Sequence, residues 1–388
     1  MPGVFEVLSG KVRPYDLRPV SLADLLRREP IHLNTSDIRA KLAGRTVLIT
    51  GAGGSIGSEL VRQIVGYGPA RLLLVGHGEN SLFALESQLK EAKCAVPYHL
   101  LLADVRDAQR MERIFAEWRP QFVFHAAAHK HVPMLESNLV EAVSNNVIST
   151  SVLVDLCDRY EVERMVLIST DKAVKPTNVM GMSKRAAELV VISASASKPG
   201  RYAVVRFGNV LGSRGSVVPT FERQIATGGP ITVTSLKMTR FFMSIPEATQ
   251  LVLKAGALNG IGTLFVLNMG EPVPIVEMAQ DLVRLSGLVP YKDIDIVETG
   301  LRPGEKLYEE LFWDEEQHMP VEQGAIFVVK NGKSANDHAF ADVDSHIAAL
   351  IASVRAYDEE AVRAHLHRLV FSAREQIRSN GHHRVPTN

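Results

Sequence analysis

The chain has 388 residues, 46% of them hydrophobic, enough to bury a large core as one compact unit or two interleaved lobes. Its 43 basic and 43 acidic residues cancel, so no net field gathers nucleic acid or an anionic membrane, and an anionic ligand must be met at a local site. The two cysteines, Cys94 and Cys157, are too few for a disulfide framework and lack metal-ligand spacing. No apolar run approaches the roughly 18 residues of a membrane span and no signal-like segment opens the chain, so it is expected to be cytoplasmic, in a reducing compartment.

Residues 1–44 scatter arginines among Pro14, Pro19 and Pro30 and read as an N-terminal arm with one short helix. From Arg45 the pattern changes. Thr46-Val47-Leu48-Ile49 is a short apolar strand, and Ser58-Glu59-Leu60-Val61-Arg62-Gln63-Ile64-Val65 has helical periodicity. Further strands are expected at 71–75, 98–102, 121–125, 164–169 and 201–206, mostly separated by helix-length stretches. Continuous apolar strands between helices imply a parallel sheet covered on both faces, an α/β, Rossmann-type doubly wound fold over 45–229. Beyond Phe207 Gly and Pro become frequent. A strand at 230–234, another at 263–268 and a helix over Ile275–Leu285 point to a smaller interleaved lobe, with 230–373 mainly substrate-binding and 245–270 returning to the first domain. The polar stretch 374–388 is expected to be disordered.

Between the first strand and helix lies Thr50-Gly51-Ala52-Gly53-Gly54-Ser55-Ile56-Gly57. One glycine permits the tight turn, another lets backbone approach phosphate, and a third allows close helix packing. Backbone N–H groups and the helix N-terminus then bind a pyrophosphate without formal positive charge. The expected ligand is NAD or NADP. NAD-preferring proteins of this type place a carboxylate after the second strand, where this chain has Gly76 followed by His77, Gly78, Glu79, Asn80 and Ser81. These suit a 2′-phosphate, or Glu79 reaches the ribose from one turn later; the lean is to NADP. Asp104, with Val105, reads as an adenine contact or as a loop carboxylate. Ala126-Ala127-Ala128 supplies small residues where backbone can approach the cofactor.

Ser169-Thr170-Asp171-Lys172-Ala173 ends the 164–168 strand, and charges at the carboxyl end of a parallel strand face the cofactor crevice. In the next helix Met180 and Lys184 are four apart and share a face. With these go His125-Ala126-Ala127-Ala128-His129-Lys130-His131-Val132-Pro133 and Arg302-Pro303-Gly304-Glu305-Lys306. From about residue 17 to about residue 312 the chain resembles the extended short-chain dehydrogenase/reductases of polysaccharide biosynthesis, specifically the UDP-N-acetylglucosamine 4,6-dehydratases. Most short-chain dehydrogenases have tyrosine at position 180, whose phenol relays the alcohol proton. Met180 resembles the branch in which methionine replaces it, often found as the soluble half of larger membrane-anchored proteins. The resemblance implies a homo-oligomer that acts on UDP-N-acetylglucosamine with a tightly bound, recycled dinucleotide. In the implied reaction hydride leaves C4, the C5 proton is removed, the C6 hydroxyl departs as water and hydride returns to C6.

That cycle needs an acceptor for the C4 hydroxyl proton, a base at C5 and an acid at O6, and Met180 can be none of these. Lys172 is assigned as the base and Asp171 as the acid; Asp171 or Thr170 helps relay the C4 proton, and Lys184 anchors the nicotinamide ribose. Lys130 and His131 are expected at the sugar end, although a lone histidine defaults to a structural role. Asn209 and Gly212-Ser213-Arg214-Gly215-Ser216-Val217 resemble the family's phosphate-contacting segment, and the hydroxyls of Ser213 and Ser216 at a helix start suit a diphosphate. Arg240 and Arg302 add guanidiniums for the diphosphate, and Glu305 a carboxylate for a ribose hydroxyl. Two rivals stand: a UDP-sugar epimerase on the same scaffold, which needs neither a C5 base nor an O6 acid, and a non-catalytic dinucleotide-binding scaffold. Retention of Asp171, Lys172 and Lys184 speaks against the second, and the lack of a basic stripe disfavours nucleic acid.

Overall fold

The computed structural model describes residues 33–258, 260–330 and 343–381, with side chains as far as residue 371. Strands β1 (Thr46–Thr50), β2 (Arg71–Gly76), β3 (Tyr98–Leu102), β4 (Phe122–His125), β5 (Arg164–Ile168) and β6 (Tyr202–Arg206) alternate with helices and lie in the order β3-β2-β1-β4-β5-β6, every pair parallel. The order reverses between β1 and β4, which opens a crevice beyond their carboxyl ends. Apart from the edge strand β3, these strands are buried almost throughout, which is why they read as unbroken apolar runs. Their side chains still alternate between two cores. Ile49, Leu74, Phe124, Val166 and Val205 pack on one face of the sheet, and their neighbours Leu48, Leu73, Val123, Met165 and Val204 on the other.

The later chain adds β7 (Asn209–Leu211), β8 (Ile231–Val233), β9 (Thr239–Arg240), β10 (Phe242–Ser244), β11 (Leu264–Leu267), β12 (Val273–Pro274), β13 (Ile296–Glu298), β14 (His318–Val321) and β15 (Ile326–Val329). β7 pairs with β10, β8 with β13 and β9 with β12 in a smaller lobe whose own core includes Val218, Phe221, Met278 and Leu282. β11 joins β6 in parallel, reached through the helix Ile245–Ala257.

Three expectations need correcting. The substrate lobe does not run through 373, because β15 and β14 add antiparallel strands to the main sheet beyond β11, and the helices Val343–Arg355 and Glu359–Gly381 pack against the helix Val179–Ser197. The tail expected to be disordered from 374 continues this last helix to Gly381; residues 382–388 lie outside the described ones. The helical run Leu139–Arg159 does reach the length and mean hydropathy, 1.2, of a membrane span, with 56% of that window buried inside the fold. Leu139, Val143, Leu153 and Leu156 on it serve the core.

Of the arm, residues 1–32 lie outside the described ones. The helix Ser36–Leu42 buries Ile38 and Leu42, and Lys254 ties this segment down through Asp37 at 2.7 Å and the Asn34 carbonyl at 3.0 Å.

Candidate active site

The glycine loop leaves β1 with Gly51 at φ +64°, a backbone state that side chains resist. A Cβ on Gly51 would stand 2.7 Å from the Ala127 nitrogen, and one on Gly57 2.1 Å from the Gly51 carbonyl oxygen. Gly53 is pressed against Ser81 in the same way. Gly54 donates to the Gly51 carbonyl at 2.9 Å and precedes the helix Ser55–Val65, whose N-terminus has no side-chain cap. Such a cradle fits a dinucleotide pyrophosphate: backbone can come close, and uncapped N–H groups point outward.

The loop forms one wall of a cavity of about 500 Å³, which Ser55 and Ile56 help line. Ala126, Ala128, Lys130 and His131 make a second wall, while Thr170 and Lys172 enter from the end of β5. Met180 and Lys184 enter from the helix Val179–Ser197, and Asn209, Ser213 and Ser216 from the smaller lobe.

Lys172 Nζ donates to Asp171 Oδ1 at 3.0 Å and to Asn209 Oδ1 at 2.9 Å, and Thr170 Oγ1 donates to the same Asp171 Oδ1 at 2.8 Å. Asp171 is fully buried behind the cavity wall. Lys184 Nζ donates to the Ile168 carbonyl at 2.7 Å; burial pushes its pKa down to about 8, with Glu188 opposing. Burial, with Lys172 nearby, also lowers Lys130, which reaches Ser213 Oγ at 3.4 Å. His131 is lowered by burial and by Lys130 and His129, and its ring packs on Gly215, where a Cβ would come within 2.7 Å. Ser216 caps the helix Val217–Ala226 without using its hydroxyl, which is buried and unpartnered.

Other sequence-chosen residues stand elsewhere. His77, Glu79 and Asn80 are exposed after β2, and Ser81 Oγ donates to the Gly78 carbonyl at 2.8 Å. Val105 is core. Asp104 is engaged by Arg106, which donates to both its oxygens and to Glu141; that hydrogen bonding lowers the Asp104 pKa against the opposing effect of burial. Arg240 is buried, and its guanidinium donates to the carbonyls of Thr239, Lys306 and Leu307, so it clamps two chain segments and does not line the cavity. Arg302 is exposed at the surface, and Glu305 accepts from its backbone N–H at 3.2 Å, a loop contact outside the cavity wall.

The sequence reading missed Asn146. It lies in a π-helical turn, Ser144–Ile148, accepts from His129 N at 2.9 Å and donates to the His129 carbonyl and to Ser183 Oγ. One extra residue per turn aims it at the 126–131 wall, as such bulges often do near sites. The signal was two adjacent asparagines, Asn145 and Asn146, inside the helical run Leu139–Arg159, whose mean hydropathy reaches 1.2. His125 was also passed over. Its ring spans Thr50 Oγ1 at 2.7 Å and Thr150 Oγ1 at 3.2 Å, and burial with Lys184 nearby holds its pKa near 3, hence neutral.

The sequence profile of the polysaccharide biosynthesis protein family matches residues 47–331. The chain belongs to that family. It is 48% identical over 320 residues to the capsular polysaccharide biosynthesis protein CapD of Staphylococcus aureus, covering 82% of this chain and 53% of CapD, so it spans about half of that relative's length. It is 31% identical over 284 residues to a UDP-N-acetylglucosamine 4,6-dehydratase (inverting) of Campylobacter jejuni, 72% of this chain and 80% of that one. A UDP-glucose 4-epimerase of Rickettsia typhi is 32% identical over 301 residues, 75% of this chain and 85% of the other. Among solved structures, Pen from Bacillus thuringiensis superposes with a TM-score of 0.67 at 32% identity, covering 74% of this chain and 87% of that one. The family therefore joins sequences named as nucleotide-sugar dehydratases and as epimerases on one Rossmann-type scaffold.

Proposed function

We propose that this chain is a nucleotide-sugar 4,6-dehydratase acting on UDP-N-acetylglucosamine, with loss of water and with NAD or NADP bound on the glycine loop. When bound, the dinucleotide supplies reversible hydride acceptance. The observation that carries the reading is the Lys172 amine, held on the cavity wall between Asp171 and Asn209, with the Thr170 hydroxyl on the same carboxylate oxygen. An amine and a carboxyl group thus stand side by side, and the reading makes Lys172 the base and Asp171 the acid that a C5 deprotonation and an O6 departure require and a 4-epimerisation does not. Thr170 carries the C4 hydroxyl proton toward Asp171, a path that compensates for methionine at position 180. Lys184 holds the nicotinamide ribose. Ser213, Ser216 and the helix start behind them receive the diphosphate, the unpartnered Ser216 hydroxyl being the donor left over for it. Arg302 and Glu305 belong to this reading only if their loop closes onto the nucleotide.

The lean to NADP rests on Gly76 in place of a ribose carboxylate, and titration with both dinucleotides decides it. The reading carries with it a homo-oligomer acting in the cytoplasm.

An epimerase is the second reading, favoured by the 32% identity to a UDP-glucose 4-epimerase. Mass spectrometry of UDP-N-acetylglucosamine incubated with the protein separates the two: loss of one water supports the dehydratase, and a new isomer of unchanged mass supports the epimerase. Lys172→Ala should abolish exchange of the C5 proton with solvent deuterium; persistent exchange would place the base elsewhere.

A further inference from the structure

The sequence places Asn209 in a phosphate-contacting segment, yet the structure gives its amide a different neighbour. Lys172 Nζ donates to Asn209 Oδ1 at 2.9 Å and to Asp171 Oδ1 at 3.0 Å. Lys172 and Asn209 both line the cavity, whereas Asp171 is fully buried behind its wall.

Backbone fixes this meeting from both sides. Just past the end of β5, Ser169 N and Asp171 N donate to the carbonyls of Val205 and Phe207 at 2.7 Å and 3.0 Å, so the two segments run side by side as far as the site. Asn209 N then donates to the Phe241 carbonyl at 2.9 Å, and β7 lies parallel to β10 with Asn209 opposite Phe242. Gly208 lets the chain through: a Cβ there would stand 2.8 Å from Phe241 Cβ and 3.2 Å from Asp171 Oδ2.

An amine on a flexible four-carbon stem is mobile, and Asp171 alone would fix only one of its N–H directions. Asn209, arriving from another strand, fixes a second. Of the tetrahedral positions around Nζ one is the stem and two point at these acceptors, which leaves the last to the cavity that Lys172 lines. That position is an N–H in the charged amine and the lone pair in the neutral one. The acceptor is also uncharged. A second carboxylate would aim the amine equally well but would favour its charged form.

We propose that Asn209 is a positioning residue for Lys172: its amide oxygen, together with the Asp171 carboxylate, aims the remaining site of the amine into the cavity. The consequence for catalysis rests on the dehydratase reading above. In that cycle the amine enters neutral and Asp171 ionised, and the C4 hydroxyl proton passes through Thr170 to Asp171. The Lys172 lone pair then bonds the C5 proton, and the C5–H electrons become a C5–C6 double bond as the C6–O6 bond breaks. O6 keeps that bond's electrons and leaves as water with the proton from Asp171. C6 takes back the hydride that C4 gave up, and C5 takes back its proton from Lys172, so both side chains end as they began. The Asn209 amide exchanges no proton at any step.

The test compares Asn209→Ala, which removes the acceptor, with Asn209→Asp, which keeps one of the same length and adds a charge. In the protein without substrate, carbon NMR relaxation at Lys172 Cε, a signal identified by its loss in Lys172→Arg, should report an ordered side chain in the wild type and Asn209→Asp. In Asn209→Ala it should report a mobile one. With UDP-N-acetylglucosamine, Asn209→Ala should lower kcat and the rate of C5 proton exchange on the order of a hundredfold, with KM within about threefold. Asn209→Asp should be slow at neutral pH and recover as pH is raised. The charges already facing the amine are Asp171 beside it, Lys130 from the wall of residues 126–131 and Glu309 from the segment after Lys306, and they are the same in every variant. An ordered Cε in Asn209→Ala would overturn the proposal. So would a raised KM with unchanged kcat, which would make Asn209 a substrate contact. If Asn209→Ala does not fold, Asn209→Asp decides: wild-type kcat at neutral pH, or a loss that raising the pH does not recover, overturns the proposal equally. Failure of the wild type to remove water would sink the dehydratase reading, while the Cε comparison still decides whether Asn209 holds the amine.

Discussion

Gly57 carries the tightest constraint in the glycine loop, since any Cβ there meets the Gly51 carbonyl oxygen at 2.1 Å, a backbone atom that cannot swing aside. Gly57→Ala is therefore expected to push the helix Ser55–Val65 off the loop and weaken dinucleotide binding by tenfold or more on titration, roughly 1.4 kcal/mol; unchanged affinity would mean the loop tolerates the shift. This constraint was legible in the sequence because glycine spacing between a strand and a helix reports backbone geometry directly. The arginines were not legible in that way. Arg240 and Arg302 offer the same guanidinium to a sequence reader, yet Arg240 is spent on backbone carbonyls and Arg302 stands exposed. Glu309, whose side chain is only 4% exposed while Glu310 next to it pairs with Lys175, was invisible for a similar reason: in sequence the two read as a solvated acidic pair.

The helix Val179–Ser197 is buried on nearly all sides, between the sheet and the C-terminal helices, so it lacks the polar stripe of a surface helix. Its start is set by Asn178, whose Oδ1 accepts from Gly181 N at 2.7 Å and whose Nδ2 donates to the Gly304 carbonyl at 2.9 Å. One side chain thereby caps the helix that carries Met180 and Lys184 and docks the Arg302–Lys306 loop beside it. Asn178→Ala should lower stability by about 1–2 kcal/mol in urea denaturation, and Asn178→Asp should recover the capping share only. Equal losses for the two variants would show that the cap contributes little. The i, i+4 placement of Met180 and Lys184 on this helix followed from sequence periodicity. The π-turn at Ser144–Ile148 did not, because it inserts one residue into a pattern that otherwise reads as plain helix.

Across the molecule, Glu188 joins three parts of the fold. It accepts from Ser169 Oγ at the end of β5, pairs with Arg206 on β6 and with Arg185 on its own helix, and Arg206 goes on to Glu316. Burial works to raise the Glu188 pKa, but Arg206, Arg185 and the Ser169 hydroxyl overrule it and hold it at about 2, below the ordinary 4.5. The unfolded chain thus binds this proton more readily than the native one, so the stabilisation is present above about pH 4.5 and is lost as pH falls toward 2. Glu188→Gln should cost roughly 3 kcal/mol or more near neutral pH, since it leaves part of a buried charge network uncompensated. The gap between its melting temperature and that of the wild type should narrow over the same acid range; a gap independent of pH would assign the loss to packing. By itself the sequence determined the parallel α/β sheet, the glycine loop and the Thr170-Asp171-Lys172 segment at a strand end, because hydrophobic period and glycine spacing are local signals. Only the tertiary structure decided that residues 318–329 extend the main sheet, that Arg240 is a clamp, and that the Glu309 side chain turns inward beside Arg240. Each of these depends on which distant backbone or charge fills the space opposite, and no window of sequence contains that partner.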